Sequence, residues 1–275
     1  MNQLRLFLLL GMTLCITACD RSEPRNTQQA AQPVAADPPD PPPCELVMGW
    51  DPWEPYQYEI AGGQVFGLDV DLLTAVASHS DCDIAFRKGS WRELLQLLQD
   101  GEIDLLGGAT LTPEREAFAW FTEPYRDEQF YLYVSSDRLE ELGAMPFEEL
   151  MAQDLRIGVI EDYLYGDPIT AYQDDPESAD HFEYSAMAET NISRLLDGAV
   201  DGIIEDKFVG ASIIRQKNLA DSISAHPVPF ESSPVRIMVS RASVDEAQFE
   251  QLNRSVAELQ ASGAIDKVLA QYRNP

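Results

Sequence analysis

The chain has 275 residues, 45% of them apolar, which is room for one large domain or two modest lobes with a sizeable core. Acidic residues number 47 against 19 Lys and Arg, a formal net charge of −28. A polyanion of that size repels nucleic acid and anionic membrane surfaces, and no basic footprint interrupts it, so no nucleic-acid partner is expected.

The first residues, "MNQLRLFLLLGMTLCITAC", place Arg5 before an apolar stretch from Leu6 to Ala18. That stretch is too short to cross a bilayer as a helix and suits the core of a secretory signal. "ITAC" resembles a bacterial lipobox. Residues 1–18 are therefore expected to be removed, and Cys19 to carry lipid as the mature N-terminus. An ordinary cleaved signal or a buried apolar helix is the alternative. Asp20 resembles the signal that keeps enterobacterial lipoproteins at the inner membrane, so a periplasmic, lipid-anchored location is expected. Residues 20–43 hold seven prolines and almost no apolar bulk, so 19–43 reads as a lipidated, disordered tether. Cys15 leaves with the signal, and Cys44 and Cys82 remain, each opening an apolar run. If those runs are adjacent parallel strands, the two thiols come within bridging distance, and export permits the bond. Two buried free thiols are the alternative.

From residue 45 strands alternate with helical patterns, the mark of an α/β sheet. "ELVMGW" is a strand and "DLLTAVASH" a helix capped by Asp69. "DIAFRKG" is the second strand, "WRELLQLLQDG" the second helix and "IDLLGGA" the third strand. "EQFYLYVSS" is extended, and "LRIGVI" opens a fresh strand series. The chain ends in helices carrying Phe249, Leu252, Val256 and Leu259 on one face, with Gly263 as a stop. "LLQDGEIDLLGG" and "LLDGAVDGIIED" share helix end, Gly, apolar residue, Asp and strand, with Asp104 and Asp201 organising the two turns. Two similar lobes would explain the echo, as would shared turn chemistry.

"GGATLTPER" (107–115) holds an odd placement. Thr112 is a good N-cap and Pro113 suits the first helical position. Arg115 then falls in the first turn, where the helix dipole disfavours a cation. A shared anion would reconcile the two, since a guanidinium fits a carboxylate bidentately and helix N–H groups add donors. The alternative is a surface pair with Glu114, Glu116 or Glu123. In α/β sheets ligands lie beyond the carboxyl ends of the strands. That rule selects "WDPWEPY", "GSW", "ATLTPER" and "EDK", bringing tryptophans, threonines, an arginine and acids together.

On "PYQYEIAGGQVFGLDVDLLTAVA", "WRELLQLLQDGEIDLLGGATLTPERE", "FTEPY" and the terminal helix pair, the chain from about residue 45 onward resembles the periplasmic solute-binding proteins of polar amino-acid ABC transporters (family 3 type). The resemblance implies a two-lobed α/β periplasmic-binding-protein fold of type II with two crossing hinge strands. Lobe 1 would comprise 44–129 plus 231–275, and lobe 2 130–230. It implies a monomer that captures a small amino-acid-like ligand and delivers it to an ABC permease, touching the membrane only through its lipid. Arg115 matches the arginine that grips the ligand α-carboxylate. Thr110 matches a residue adding donors to that group, Gly108 one whose carbonyl receives the ammonium, and Asp206 the carboxylate that pairs with it. Trp53 and Trp91 match the aromatics that sandwich the side chain, with packing as their alternative; Glu205 is the alternative to Asp206. Trp50 and Trp120 are assigned to packing.

One segment departs from the family. Gly and Ser/Thr residues usually follow the first strand of the second lobe, whereas this chain reads "IGVIEDYLYGDP". Glu161, Asp162 and Tyr163 would put negative charge and bulk near the cleft, favouring a cationic, decarboxylated or non-standard ligand. The rival readings are an enzyme resembling cyclohexadienyl dehydratase, with Glu161 or Asp162 as general acid, and a ligand-sensing receptor subunit. His79, His181 and His226 are scattered, and HExxH, P-loop and GxSxG motifs are missing from the sequence, so no catalytic residue, metal or cofactor is assigned.

Overall fold

The computed structural model describes residues 44–231 and 233–273. The expected signal, the expected lipid site Cys19 and the expected tether lie outside the described residues. In chain order the elements are β1 Cys44–Trp50, the short pair β2 Tyr58–Glu59 and β3 Val65–Phe66, α1 Leu68–His79, β4 Cys82–Lys88, α2 Trp91–Asp100, β5 Leu105–Ala109, α3 Pro113–Glu116 and β6 Ala119–Phe121. Next come β7 Arg126–Glu128, β8 Phe130–Ser135, α4 Ser136–Leu142, α5 Phe147–Met151, β9 Ile157–Ile160, α6 Ile169–Asp174, β10 Phe182–Ser185, α7 Ala188–Leu196 and β11 Gly202–Asp206. The chain closes with α8 Lys207–Gln216, β12 Ile223–Ala225, β13 Ser233–Ser240, α9 Glu246–Ala261 and α10 Ala264–Arg273.

These strands form two principal sheets, one per lobe. The first runs β4-β1-β5-β13-β6, with β7 pairing β13; the second runs β10-β9-β11-β8-β12. β1 lies parallel to both β4 and β5, so the residues after each of these strands leave from the same edge. The apolar run of β1 is buried on both sides, as a central parallel strand requires. Leu46, Met48, Leu73, Leu105, Val239 and Leu252 share one core, onto which α1, α9 and α10 pack. Leu132, Val134, Leu150, Ile157 and Val159 make that of the second lobe. Each fully buried leucine contributes on the order of 1.5–3 kcal/mol. The chain crosses between sheets through β7 into β8 and returns into β13, whose Ser233–Val235 pair with Arg126–Glu128.

Register sets Cys44 opposite Cys82, and the two are joined by a disulfide. The repeated Asp does the same work in both lobes. Asp104 Oδ2 accepts the N–H of Val47 at 2.7 Å, and Asp201 Oδ2 that of Arg156 at 3.0 Å. Each carboxylate holds a turn against a neighbouring chain segment. Gly263 ends α9 with φ 71, and Phe249, Leu252 and Val256 face inward as the pattern requires.

Asp69 does not cap α1. The N-cap is Gly67 at φ 134, where an added Cβ would run into the Tyr56 carbonyl, and no side chain caps the helix. Asp69 is instead the second residue of the helix, fully buried and taken by Arg126. Among the described residues no helix is long and apolar enough to cross a membrane.

Candidate functional site

The turn after β5 is built as its residues dictate. Thr112 is the N-cap of the one-turn helix α3, its hydroxyl accepts the Arg115 N–H at 3.3 Å, and Pro113 opens the helix. The rigid turn aims the Arg115 side chain inward, where it is 8% exposed. Its Nη1 donates to the Thr110 carbonyl at 3.1 Å, and Nη2 crosses to the second lobe to donate to the Asp162 carbonyl at 2.7 Å. The guanidinium carbon lies 5.6 Å from the centre of the Trp91 ring. Burial lowers the Arg115 pKa to about 10, partly offset by Asp162 and Glu128, so the group stays cationic at neutral pH.

Arg115 lines a narrow cavity of about 20 Å³ between the lobes, together with Trp53, Trp91, Gly108 and Thr110. Five of the six residues singled out from the sequence thus share one space. Asp206 is placed elsewhere: its Oδ1 caps α8 by accepting from Phe208 N at 2.8 Å and Val209 N at 3.3 Å, and it is not part of the cavity lining. Glu161 and Asp162 aim their carboxylates at Arg92 on the rim, 3.2 and 2.7 Å away.

Tyr163 brings its expected bulk to the cleft, whereas the remaining lining residues were not singled out from the sequence. Asp51, Gln57, Glu128, Phe130 and Leu164 face the same space, and Tyr163 reaches it from the second lobe. The strand-end rule selects the loop that carries Asp51 and Gln57, but residue type alone does not separate them from their neighbours. Gln57 Nε2 donates to Asp51 Oδ1 at 3.2 Å and Tyr163 Oη to Asp51 Oδ2 at 3.0 Å. Trp53 Nε1 donates across the lobes to Glu205 Oε1 at 2.9 Å, and Glu205 also accepts the Asp206 N–H. Trp91 Nε1 and Gln57 Oε1 are buried without a hydrogen-bond partner among the described residues.

Beneath the cavity lies an ion pair that pattern reading missed. Arg126 donates Nε and Nη2 to the two oxygens of Asp69, each at 2.8 Å, and stacks 4.0 Å from the Tyr56 ring centre. Tyr125 Oη donates to Asp69 and accepts the Gly108 N–H at 2.7 Å. Gly108 has φ 68, and a Cβ there would stand 2.9 Å from Arg126 Nη2. The doubled glycine of "GGA" is the one sequence signal for this close approach.

Carboxylates outnumber cations at the junction. Asp51, Asp69, Glu128, Glu205 and Asp206 are all buried, against Arg115 and Arg126. Desolvation raises Glu128 and Glu205 to about 8 and Asp51 to about 6, and it also raises Asp206 against the pull of Arg126. A positively charged group entering this space would draw these acids back toward their ionised forms and be favoured by them.

The model of the bacterial extracellular solute-binding proteins, family 3, matches residues 46–275. Over 229 residues the chain is 26% identical to a probable histidine-binding protein of Neisseria gonorrhoeae, covering 79% of this chain and 78% of the relative. It is 22% identical to ABC transporter arginine-binding protein 1 of Escherichia coli K12, covering 80% of this chain and 86% of the relative. An ancestral arginine-binding protein bound to arginine superposes with a TM-score of 0.71 at 20% identity, covering 83% of this chain and 97% of that structure. The two-lobed fold is the one expected for type II periplasmic binding proteins, and the chain belongs to the bacterial extracellular solute-binding proteins of family 3.

Proposed function

We propose that this chain captures an amino acid, or a related small solute bearing an amine, between its lobes and passes it to an ABC permease. The observation that carries the reading is Arg115, a buried guanidinium facing an interlobe cavity and hydrogen-bonded to carbonyl oxygens of both lobes. A ligand α-carboxylate would take up Arg115 and Thr110, with the Trp91 indole N–H as a further donor and the two tryptophans as walls. Its positive end would face Asp51 and Glu128, with the Gln57 amide oxygen as an acceptor. This favours a cationic solute, and the relatives named for histidine and arginine binding support the same direction. Asp206 acts on that ligand through α8 and the junction's charge rather than by direct contact.

Residues 44–129 with 231–275 and residues 130–230 would move as two rigid lobes, closing on the ligand by a population shift. The chain would act as a monomer, without catalysis and without cofactor or metal. It would be held at the inner membrane by lipid on Cys19, and Cys19→Ser should release it from membranes. Calorimetry on the full chain with L-arginine, L-histidine, L-lysine, L-glutamine and putrescine tests the central claim. Saturable binding of a cationic amino acid is expected; heat from none of the five would overturn it. Incubation with prephenate and arogenate checks the rival enzyme reading, and unchanged substrates are expected.

A further inference from the structure

We propose that the loop following β9 is a built-in occupant of the ligand seat, and that Tyr163 is the residue that decides which solutes displace it. The inference rests on the reading of the cavity as an amino-acid site. Three contacts of the loop fall where a ligand's own groups would fall. The Asp162 carbonyl accepts from Arg115 Nη2 at 2.7 Å, the position of a carboxylate oxygen. The Tyr163 ring stands edge-on to both indoles, its centre 6.0 Å from that of Trp53 and 5.8 Å from that of Trp91. Its hydroxyl donates to Asp51 Oδ2 at 3.0 Å, where a ligand's amine or guanidinium donor would point.

The backbone is set for this. Asp162 adopts φ 62, a left-handed conformation unusual for a residue with a Cβ, and the turn directs its carbonyl at Arg115 and the following ring inward. Ion pairs from Arg92 to Glu161 and Asp162 fasten the loop from the first lobe at the rim. Acceptor, aromatic surface and donor therefore all come from consecutive residues of the protein itself.

Displacement has a chemical condition. A solute that moves the loop must give Arg115 an acceptor and Asp51 a donor, or it leaves a buried charged or polar group unsatisfied. A carboxylate joined to a cationic side chain meets both demands. An amino acid with an aliphatic side chain carries its only donor, the α-ammonium, beside the carboxylate, whereas in the loop the acceptor is a backbone carbonyl and the donor stands at the far end of a tyrosine side chain. Tyr163 thus acts as a filter, and it also holds the lobes together before a solute arrives.

The test compares the wild-type full chain with Tyr163→Ala and Tyr163→Phe, the latter keeping the ring and losing only the hydroxyl. Spin labels at Gln99→Cys and Thr190→Cys, exposed positions on opposite lobes, report lobe separation without any solute; calorimetry reports binding of L-arginine and L-leucine. Expected for Tyr163→Ala are longer and broader interlobe distances, at least tenfold tighter L-arginine binding and measurable L-leucine binding, with Tyr163→Phe between. Unchanged distances with weaker L-arginine binding would overturn the proposal and make Tyr163 an ordinary ligand contact. If no variant binds any amino acid, the functional reading fails, and the distance comparison alone still decides whether the loop holds the lobes shut.

Discussion

Arg115 occupies a helix start that by itself disfavours a cation. The dipole penalty in a first turn is roughly 0.3–1 kcal/mol, while each charge-assisted hydrogen bond contributes about 1.5–3 kcal/mol. The second effect wins only when the guanidinium has a partner, and here its partners are carbonyl oxygens whose acceptor role a ligand carboxylate can take over. Arg115→Ala should cost about 3–5 kcal/mol of ligand affinity, because it strands a desolvated carboxylate; calorimetric affinities of the two proteins check this. The buried acids carry the opposite sign. Burial raises Glu205 to about 8 and Asp51 to about 6 in the folded chain, above ordinary carboxylate values. Between about pH 4 and pH 8 the folded state then holds more protons than the unfolded one, so stability should fall as pH rises across that window. Thermal melts of the free protein at stepped pH should show this decline, and Glu205→Gln should lessen it by removing one of the two groups raised to about 8. A slope unchanged in that variant would assign the effect to Glu128.

At the scale of elements, the loops at the strand ends hold the site and the ladders beneath hold the loops. The Asp69–Arg126 pair joins α1 to the crossing strand β7 and braces Gly108 through Tyr125. Arg126 also stacks on Tyr56, so the pair is packed as well as paired. Asp69→Ala should lower global stability by about 3–5 kcal/mol, since it leaves Arg126 buried and uncompensated; chemical denaturation measures it. The Cys44–Cys82 bridge closes a segment of sequence separation 38 at the outer strand pair of the first sheet. Replacing both cysteines by serine should cost about 2–4 kcal/mol. Ligand affinity should hardly change, because the bridge lies at the opposite end of β1 from the cavity.

At the scale of the whole molecule, three hydrogen bonds among the described residues cross between the lobes at the cavity, while Phe208 and Val209 pack against the core of the first lobe. Trp53 to Glu205, Tyr163 to Asp51 and Arg115 to the Asp162 carbonyl each cross the cleft. A solute that replaces the last two couples binding to the lobe equilibrium, and ligand at about 100 times its Kd should stabilise the chain by roughly 2.7 kcal/mol. A thermal-shift series against L-arginine concentration checks the relation.

Much of this architecture was legible in the order of the residues. Periodicity of two and of 3.6 marks β1, α1, β4, α2 and β5, and turn chemistry marks Thr112, Pro113 and Gly263, because these choices are decided by backbone groups within a few positions. The strand-end rule then brings Arg115, Thr110, Gly108, Trp53 and Trp91 to one edge, since parallel strands share a direction. Asp69 and Asp206 each take a part other than the expected one, for a physical reason. A carboxylate near a helix start is equally suited to capping, to an ion pair or to a ligand, and the choice turns on what lies opposite. Asp206 caps α8 through N–H groups two and three residues along the chain, whereas only the tertiary structure supplies Arg126 from 57 residues away for Asp69. The acidity of the junction has the same origin, as burial is a property of neighbours brought from both sheets. Local sequence determined the elements and the address of the site; long-range packing decided which charge meets which.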